Sequence, residues 1–364
     1  MLGFNKNGNF QYIIVDDWLP MTMDENQREV PAFTRGGDDG CEMWPAILEK
    51  GYAKLYGSYK AIEAGKVHMA LADIVENGFP EQLALKTFKG NIKFLESRLR
   101  YLDKVSALMG AGSPEHELGD GATNEEGIVQ GHAYAILDVA DYQGEQLLNL
   151  RNPHGKANYT SEWNGEWADD SSKWTVKAKA AMKYEPNEQV DGIFWMANSD
   201  FLNNFKYVYI CRELTVKAGW HQCSIDGKWA GASSAGFPGK LRQVPQFKLT
   251  ITQPCSAYIS MTQKDSNVAS SFKGKNFIGW MVARLQGKLM TKLEKRALMT
   301  KAGISDLKIL SQEIEFDEKV SYPYSFTIVC GSRYAGPKGE GDFELKVYAR
   351  DSKIKIEKLN HLDQ

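Results

Sequence analysis

Apolar positions along this chain change period several times, and each change predicts an element. Tyr134, Ile136, Leu137 and Val139, then Leu147, Leu148 and Leu150, form two short apolar runs. Asp141-Tyr142-Gln143-Gly144-Glu145 between them has a turn composition, so the pair reads as a β-hairpin. Phe10–Val15 reads as a strand closed by Asp16-Asp17-Trp18-Leu19-Pro20. Trp44, Ile47, Leu48, Tyr52 and Leu55 recur at helical spacing over 42–57, with Pro45 tolerable in the first turn and Gly57 as a stop. Ile92, Leu95, Leu99, Leu102 and Val105 predict a second helix over 88–109.

Past Cys211 the pattern shortens. Alternating runs at 247–251, 257–261, 326–329 and 343–348, separated by turn residues, predict a β-sandwich. Between 284 and 301, Arg284, Lys288, Lys292 and Arg296 alternate with Leu285, Leu289 and Leu293. Two readings stand: a basic amphipathic helix for an anionic membrane surface, or a solvated helix whose lysines face water. Gly287 weakens the helix itself.

A length of 364 residues predicts about two domains. Lysine and arginine number 44 against 46 acids, a net charge of −2 that gives no electrostatic case for nucleic acid. No apolar run approaches the roughly 18 residues that span a bilayer, and Met1–Asn7 lacks a signal-peptide core. Cysteines 41, 211, 223, 255 and 330 are few, odd in number and scattered, which argues against a disulfide framework and for a reduced, cytoplasmic protein.

The hairpin also carries candidate chemistry. Position 142 is midway between 132 and 152, so an unbulged antiparallel pair centred there sets His132 opposite Asn152 on one face. A bulge or a one-residue slip puts them on opposite faces. An imidazole held by a carboxamide suits a general base beside a thiol, and the two are part of a Cys–His–Asn constellation. The plainer reading is a polar strand edge and a turn residue. The segment 110–131, rich in Gly, Ser, Glu and Asp, either flanks a cleft or is a surface connection.

Several motifs tilt that balance. They are GHAY at His132, NP-x-G at Asn152, W-x-G-x-W-x-D from Trp163, and DG-x-FWM from Asp191. With the DD-x-LP at Asp16 and the EKGYAKLYG helix from Glu49, the chain closely resembles the calpain family of papain-like cysteine peptidases. The resemblance implies an α+β fold: a truncated papain-like core over 1–212, lacking the N-terminal nucleophile helix. An all-β C2-like sandwich over 213–354 and a tail over 355–364 follow. No EF-hand loop is present in the sequence.

By the same resemblance, this is a calcium-dependent cysteine endopeptidase acting on protein substrates, with His132 as base and Asn152 as its orienting partner. The family's G-x-C-W nucleophile and its oxyanion glutamine lie ahead of the strand that resembles 10–15. Glu162, Asp169 and Asp191 match acidic calcium ligands, whereas Ile193 stands where the family has a further acid, and an aliphatic side chain cannot ligate. His154 stands where the family has a tryptophan that shields the His–Asn bond. Cys41 precedes a helix in papain order, but that helix resembles a different calpain helix, so it is either a nucleophile or an incidental thiol. The alternative function is a catalytically inactive relative serving as a binding or regulatory module.

Overall fold

The computed structural model describes residues 1–24, 26–34, 36, 42–115, 122–154, 162–186, 191–264 and 273–359; Cys41 lies outside them. The chain divides into two compact units, Pro80–Arg212 and a second made of Met1–Phe79 with Glu213–Gln364. Residues 1–79 thus group by their contacts with the strand-rich segment.

The Pro80–Arg212 unit is built on a six-stranded sheet. Its spatial order is Gly78–Ala84, Tyr207–Glu213, Leu108–Gly112, Ala133–Tyr142, Glu145–Arg151 and Ile193–Ala197. Side chains alternate across a strand, and both faces are covered. Leu148, Leu150, Phe194 and Met196 join the helix residues Leu95, Leu99 and Leu102 in one core. Leu147, Trp195 and Ala197 join Trp167, Trp174 and Ala178 in another. Burial on both faces explains why Leu147-Leu148 and Ile193–Ala197 are unbroken apolar runs.

The second helix is shorter than its apolar spacing predicts, spanning Ile92–Lys104. Asn91 caps its start by accepting a hydrogen bond from the Phe94 N–H at 3.2 Å. Ser106 takes a left-handed conformation (φ 54°), after which Leu108–Gly112 leaves as a strand. Its three fully buried leucines each contribute about 1.5–3 kcal/mol of apolar burial.

In the other unit, two sheets enclose one core. The four-stranded sheet runs His221–Trp229, Gly341–Ala349, Cys255–Lys264, Ile309–Phe316. The five-stranded one runs Leu298–Leu307, Lys273–Ala283, Tyr324–Ser332, Gln246–Ile251, Ile354–Lys358. Trp229, Phe343 and Ile259 from the first meet Phe247, Trp280 and Phe326 from the second, all fully buried. This is a β-sandwich. Ile354–Lys358 pairs with Gln246–Ile251, so the domain reaches past 354 and residues 355–358 are an edge strand, not a tail.

The basic helix expected over 284–301 does not form. Gln286 and Gly287 both take positive φ (53° and 71°), turning the chain, and Met290 is fully buried. Leu298–Leu307 then pairs with Lys273–Ala283. Ladder pairing and an anchored methionine outweigh the local alternation of charge and leucine, and the membrane reading loses its element. Among the described residues no helix is long and apolar enough to cross a membrane.

The N-terminal helix spans Trp44–Tyr56 with Gly57 left-handed at its C-terminus (φ 97°). Ahead of it lie two short hairpins, Leu2–Lys6 with Asn9–Ile13 and Met21–Met23 with Glu29–Pro31. Phe10, Tyr12, Ile14, Met21 and Met23 are exposed there, and Trp18 is 83% exposed. Behind the helix, Asp73 is buried with Lys308, Tyr52 and Tyr56.

Candidate active site

His132 and Asn152 are brought together by an irregular hairpin. Tyr142 pairs with Glu145, so the turn is Gln143-Gly144, both at positive φ (50° and 85°) as a tight two-residue hairpin requires. That turn is displaced from the centre at 142, and an unbroken ladder from it would put Asn152 on the face opposite His132. The register instead shifts between Ile136 and Asp138, where Leu137 forms a bulge. Past Ala135 and Arg151 the shifted ladder sets His132 across from His154, and Asn152 becomes its diagonal neighbour on the same face. The bulge, expected to separate the pair, is what reunites it.

His132 Nε2 lies 2.9 Å from Asn152 Oδ1. The same oxygen accepts the His154 backbone N–H at 3.1 Å. A backbone N–H can only donate, so the acceptor end of the amide faces both groups. Nε2 of His132 must then carry a hydrogen, which leaves the basic lone pair of the neutral imidazole on Nδ1. Asn152 is buried and His132 half-buried, so the amide is fixed while the ring meets solvent. The exposed His154 ring lies 4.8 Å from that of His132, tilted 35°, and is a thinner, more polar cover than an indole.

The backbone of His132 is clamped as well. Its N–H donates to Ser113 Oγ at 2.9 Å, and its carbonyl accepts the Ser113 N–H at 3.0 Å. Tyr134 accepts the Val129 N–H at its hydroxyl, 2.9 Å away, fixing the approach to His132. Ser113 was missed from sequence because 110–131 reads as one polar loop. The small apolar run Leu108-Met109-Gly110-Ala111-Gly112 ahead of it is the signal that a strand delivers it.

The acidic trio sits on loops beside the last strand. Glu162 Oε1 accepts the Gly192 N–H at 2.7 Å, Asp169 Oδ1 the Tyr184 hydroxyl at 2.8 Å, and Asp191 Oδ1 the Ile193 N–H at 2.8 Å. Burial pushes the Glu162 carboxyl up to about 7; the Gly192 bond opposes this, and the charges of Asp169 and Asp191 reinforce it. The indole N–H groups of Trp163 and Trp174 donate to the Glu166 and Ala168 carbonyls, at 2.8 and 3.0 Å, which fixes the loop that carries Asp169. Glu162 thus feels the charges of the other two carboxylates. Among the described residues, however, no three His, Cys, Asp or Glu side chains converge closely enough to hold a metal ion. As arranged, the trio is not a calcium coordination sphere.

The described cysteines lack nucleophile character. Burial pushes the Cys223 and Cys255 thiols up to about 12 and about 11, and Cys330 higher still. Cys211 is buried within the Tyr207–Glu213 strand. A thiol so raised is protonated at neutral pH and attacks poorly.

Residues 1–212 match the family described as calpain family cysteine protease. The calpain-type cysteine protease ADL1 of Oryza sativa subsp. japonica is 32% identical over 376 residues, covering 97% of this chain and 16% of that protein. The calpain-type cysteine protease DEK1 of Arabidopsis thaliana is 36% identical over 271 residues, covering 71% and 12%. Calpain-9 of Homo sapiens is 29% identical over 375 residues, covering 95% and 52%. The chain thus spans about half the length of the human relative and less than a fifth of the plant ones.

Proposed function

Because the chain belongs to the calpain family of cysteine proteases, we propose that residues 80–212 carry the His–Asn half of a cysteine endopeptidase site that cleaves protein substrates. The observation that carries this reading is the double acceptance at Asn152 Oδ1, which orients the His132 ring and makes Nδ1 its basic nitrogen. In the proposed cycle Nδ1 takes the proton of a cysteine thiol, and the thiolate attacks the scissile carbonyl. The protonated ring returns that proton to the amine as the C–N bond breaks. Nδ1 then deprotonates the water that splits the thioester, and the ring returns that proton to the departing sulfur as the C–S bond breaks. The thiol belongs to a cysteine other than the four described, and the sandwich is the C2-like domain that the resemblance implies.

Glu162, Asp169 and Asp191 would be the ligands of calcium only in an arrangement that brought the three carboxylates together, and no proton-transfer step above depends on it. Burial raises Glu162 and the charges of Asp169 and Asp191 add to that shift, a negative field that a divalent cation would offset. Protonation of Glu162 competes with such a cation, so calorimetric calcium affinity is expected to fall from pH 8 to pH 6. Equal affinity at both would remove Glu162 from the set. The thiols of Cys223, Cys255 and Cys330 suit a reducing, cytoplasmic setting.

The test is peptide-bond hydrolysis by the protein expressed from its complete natural reading frame. His132→Ala is expected to lower kcat at least roughly 10³-fold, and Asn152→Ala by a smaller factor. No hydrolysis by the unaltered protein, or full activity without His132, overturns the reading. The polar His154 ring over His132 and the aliphatic Ile193 beside the acidic trio favour the second reading, a non-catalytic binding module, which the first of those outcomes would leave standing.

A further inference from the structure

Asn152 stands where its ladder ends. Arg151 pairs with Ile193, and the last rung beyond it is the Asn152 N–H donating to the Gly192 carbonyl at 2.7 Å. Strand ends fray when nothing holds the neighbouring chain. Here something does. Gly192, in a left-handed conformation (φ 87°), is gripped from its other side by the Glu162 carboxylate, which accepts its N–H at 2.7 Å.

Glu162 is itself braced toward the chain that carries His132. The Asn164 N–H donates to the Glu126 carbonyl at 3.1 Å, and the Asn164 side-chain amide to the Glu125 carbonyl at 3.0 Å. Gly127 packs so closely that a Cβ there would lie 1.9 Å from the Glu162 carbonyl oxygen. Five residues further on is His132. One residue therefore touches the run leading to the imidazole through its backbone and the peptide holding the carboxamide through its side chain.

We propose that Glu162 is a positioning residue for the His132–Asn152 pair, acting through the Gly192 peptide and independently of any metal. The proposal rests on the reading above for its catalytic meaning. Its geometric content stands alone: acceptor reach matters, and negative charge does not. Glutamine keeps the reach and lacks the charge. Aspartate keeps the charge and is one methylene short of Gly192.

Residues 1–364, labelled with 15N at histidine and held in EGTA, supply the test. The signal read is the His132 Nε2–H, assigned by its loss in His132→Ala. In Glu162→Gln its shift and exchange rate are expected to match the unaltered protein within about twofold, whereas in Glu162→Asp exchange should quicken roughly tenfold or more. Glu162→Ala is expected to behave as the aspartate variant, and the Gln–Asp contrast decides the matter even if the alanine variant fails to fold. With calcium chelated, a purely metal-binding carboxylate predicts that no variant differs from the unaltered protein. Three variants alike, or aspartate nearer the unaltered protein than glutamine, overturns the proposal. Because the readout requires no turnover, absence of hydrolysis would refute the peptidase reading and leave this result intact.

Discussion

Replacing Lys308 by methionine is expected to destabilise the unit formed by residues 1–79 and 213–364 by about 3–5 kcal/mol at pH 8. The Asp73 carboxylate is 2% exposed and accepts hydrogen bonds from the Tyr52 and Tyr56 hydroxyls at 2.8 and 2.7 Å and from the Lys308 ammonium. Methionine preserves most of the apolar stem, so the perturbation is mainly the lost cation. Two phenols then face a buried charge alone. Lys6, nearby, is committed to the Leu55 carbonyl at 2.6 Å and to the face of the Tyr56 ring. Burial already pushes the Asp73 carboxyl above the usual carboxylate range and pulls the Lys308 ammonium below its own, each opposed by the other's charge.

Removing the ammonium deletes that opposition, so the variant's Asp73 titrates higher still. A carboxyl whose folded pKa exceeds its unfolded value stabilises the fold when protonated, and that contribution is lost as pH rises through the folded value. The deficit should therefore be larger at pH 8 than at pH 5 in urea titrations. The double variant Asp73→Asn/Lys308→Met has no stranded charge and should recover to within about 1–2 kcal/mol of the parent. A deficit below about 1 kcal/mol at pH 8, an equal deficit at both pH values, or a double variant no better than the single one would refute the reasoning.

His68 is 2% exposed, and burial lowers its pKa to about 3, with Lys66 and Lys308 adding to the shift. An unfolded histidine takes up its proton below about 6.5, so stability should drop as pH falls from there, by up to about 5 kcal/mol at pH 3; a His68→Gln variant with the same acid slope would contradict this. Deleting Leu137 should leave a regular ladder that still sets Ile136 opposite Leu150, so Tyr134 and Ile136 should stay in the core and the His132 Nε2–H signal should persist; loss of the signal from a folded deletion variant would contradict the parity argument. The amides of Asn9–Ile13 and Met21–Met23 sit in two-stranded ribbons with exposed apolar side chains, so hydrogen exchange there should be complete long before exchange in Gln246–Ile251. Comparable protection in both regions would mean that these ribbons are covered in solution.

Local pattern alone sufficed for the Trp44–Tyr56 helix, the hairpin and the sandwich strands. Spacing of apolar residues, the glycine at 57 and the turn composition at 141–145 are short-range signals, and short-range physics decides them. The motifs around His132, Asn152, Trp163 and Asp191 likewise marked the catalytic family before any coordinates. Tertiary structure decided the rest. Gly144 marked the turn, but only the packing of Tyr134 and Ile136 into the core required Leu137 to bulge, and that single extra residue put the imidazole and the carboxamide on one face. The 284–301 stretch carried a helix-like alternation that long-range ladder pairing overrode. Asp73 and Lys308, 235 residues apart, showed no sign of each other in sequence. Side-chain parity along a strand, and the meeting of charges across the fold, depend on contacts between distant segments, which a local pattern does not encode.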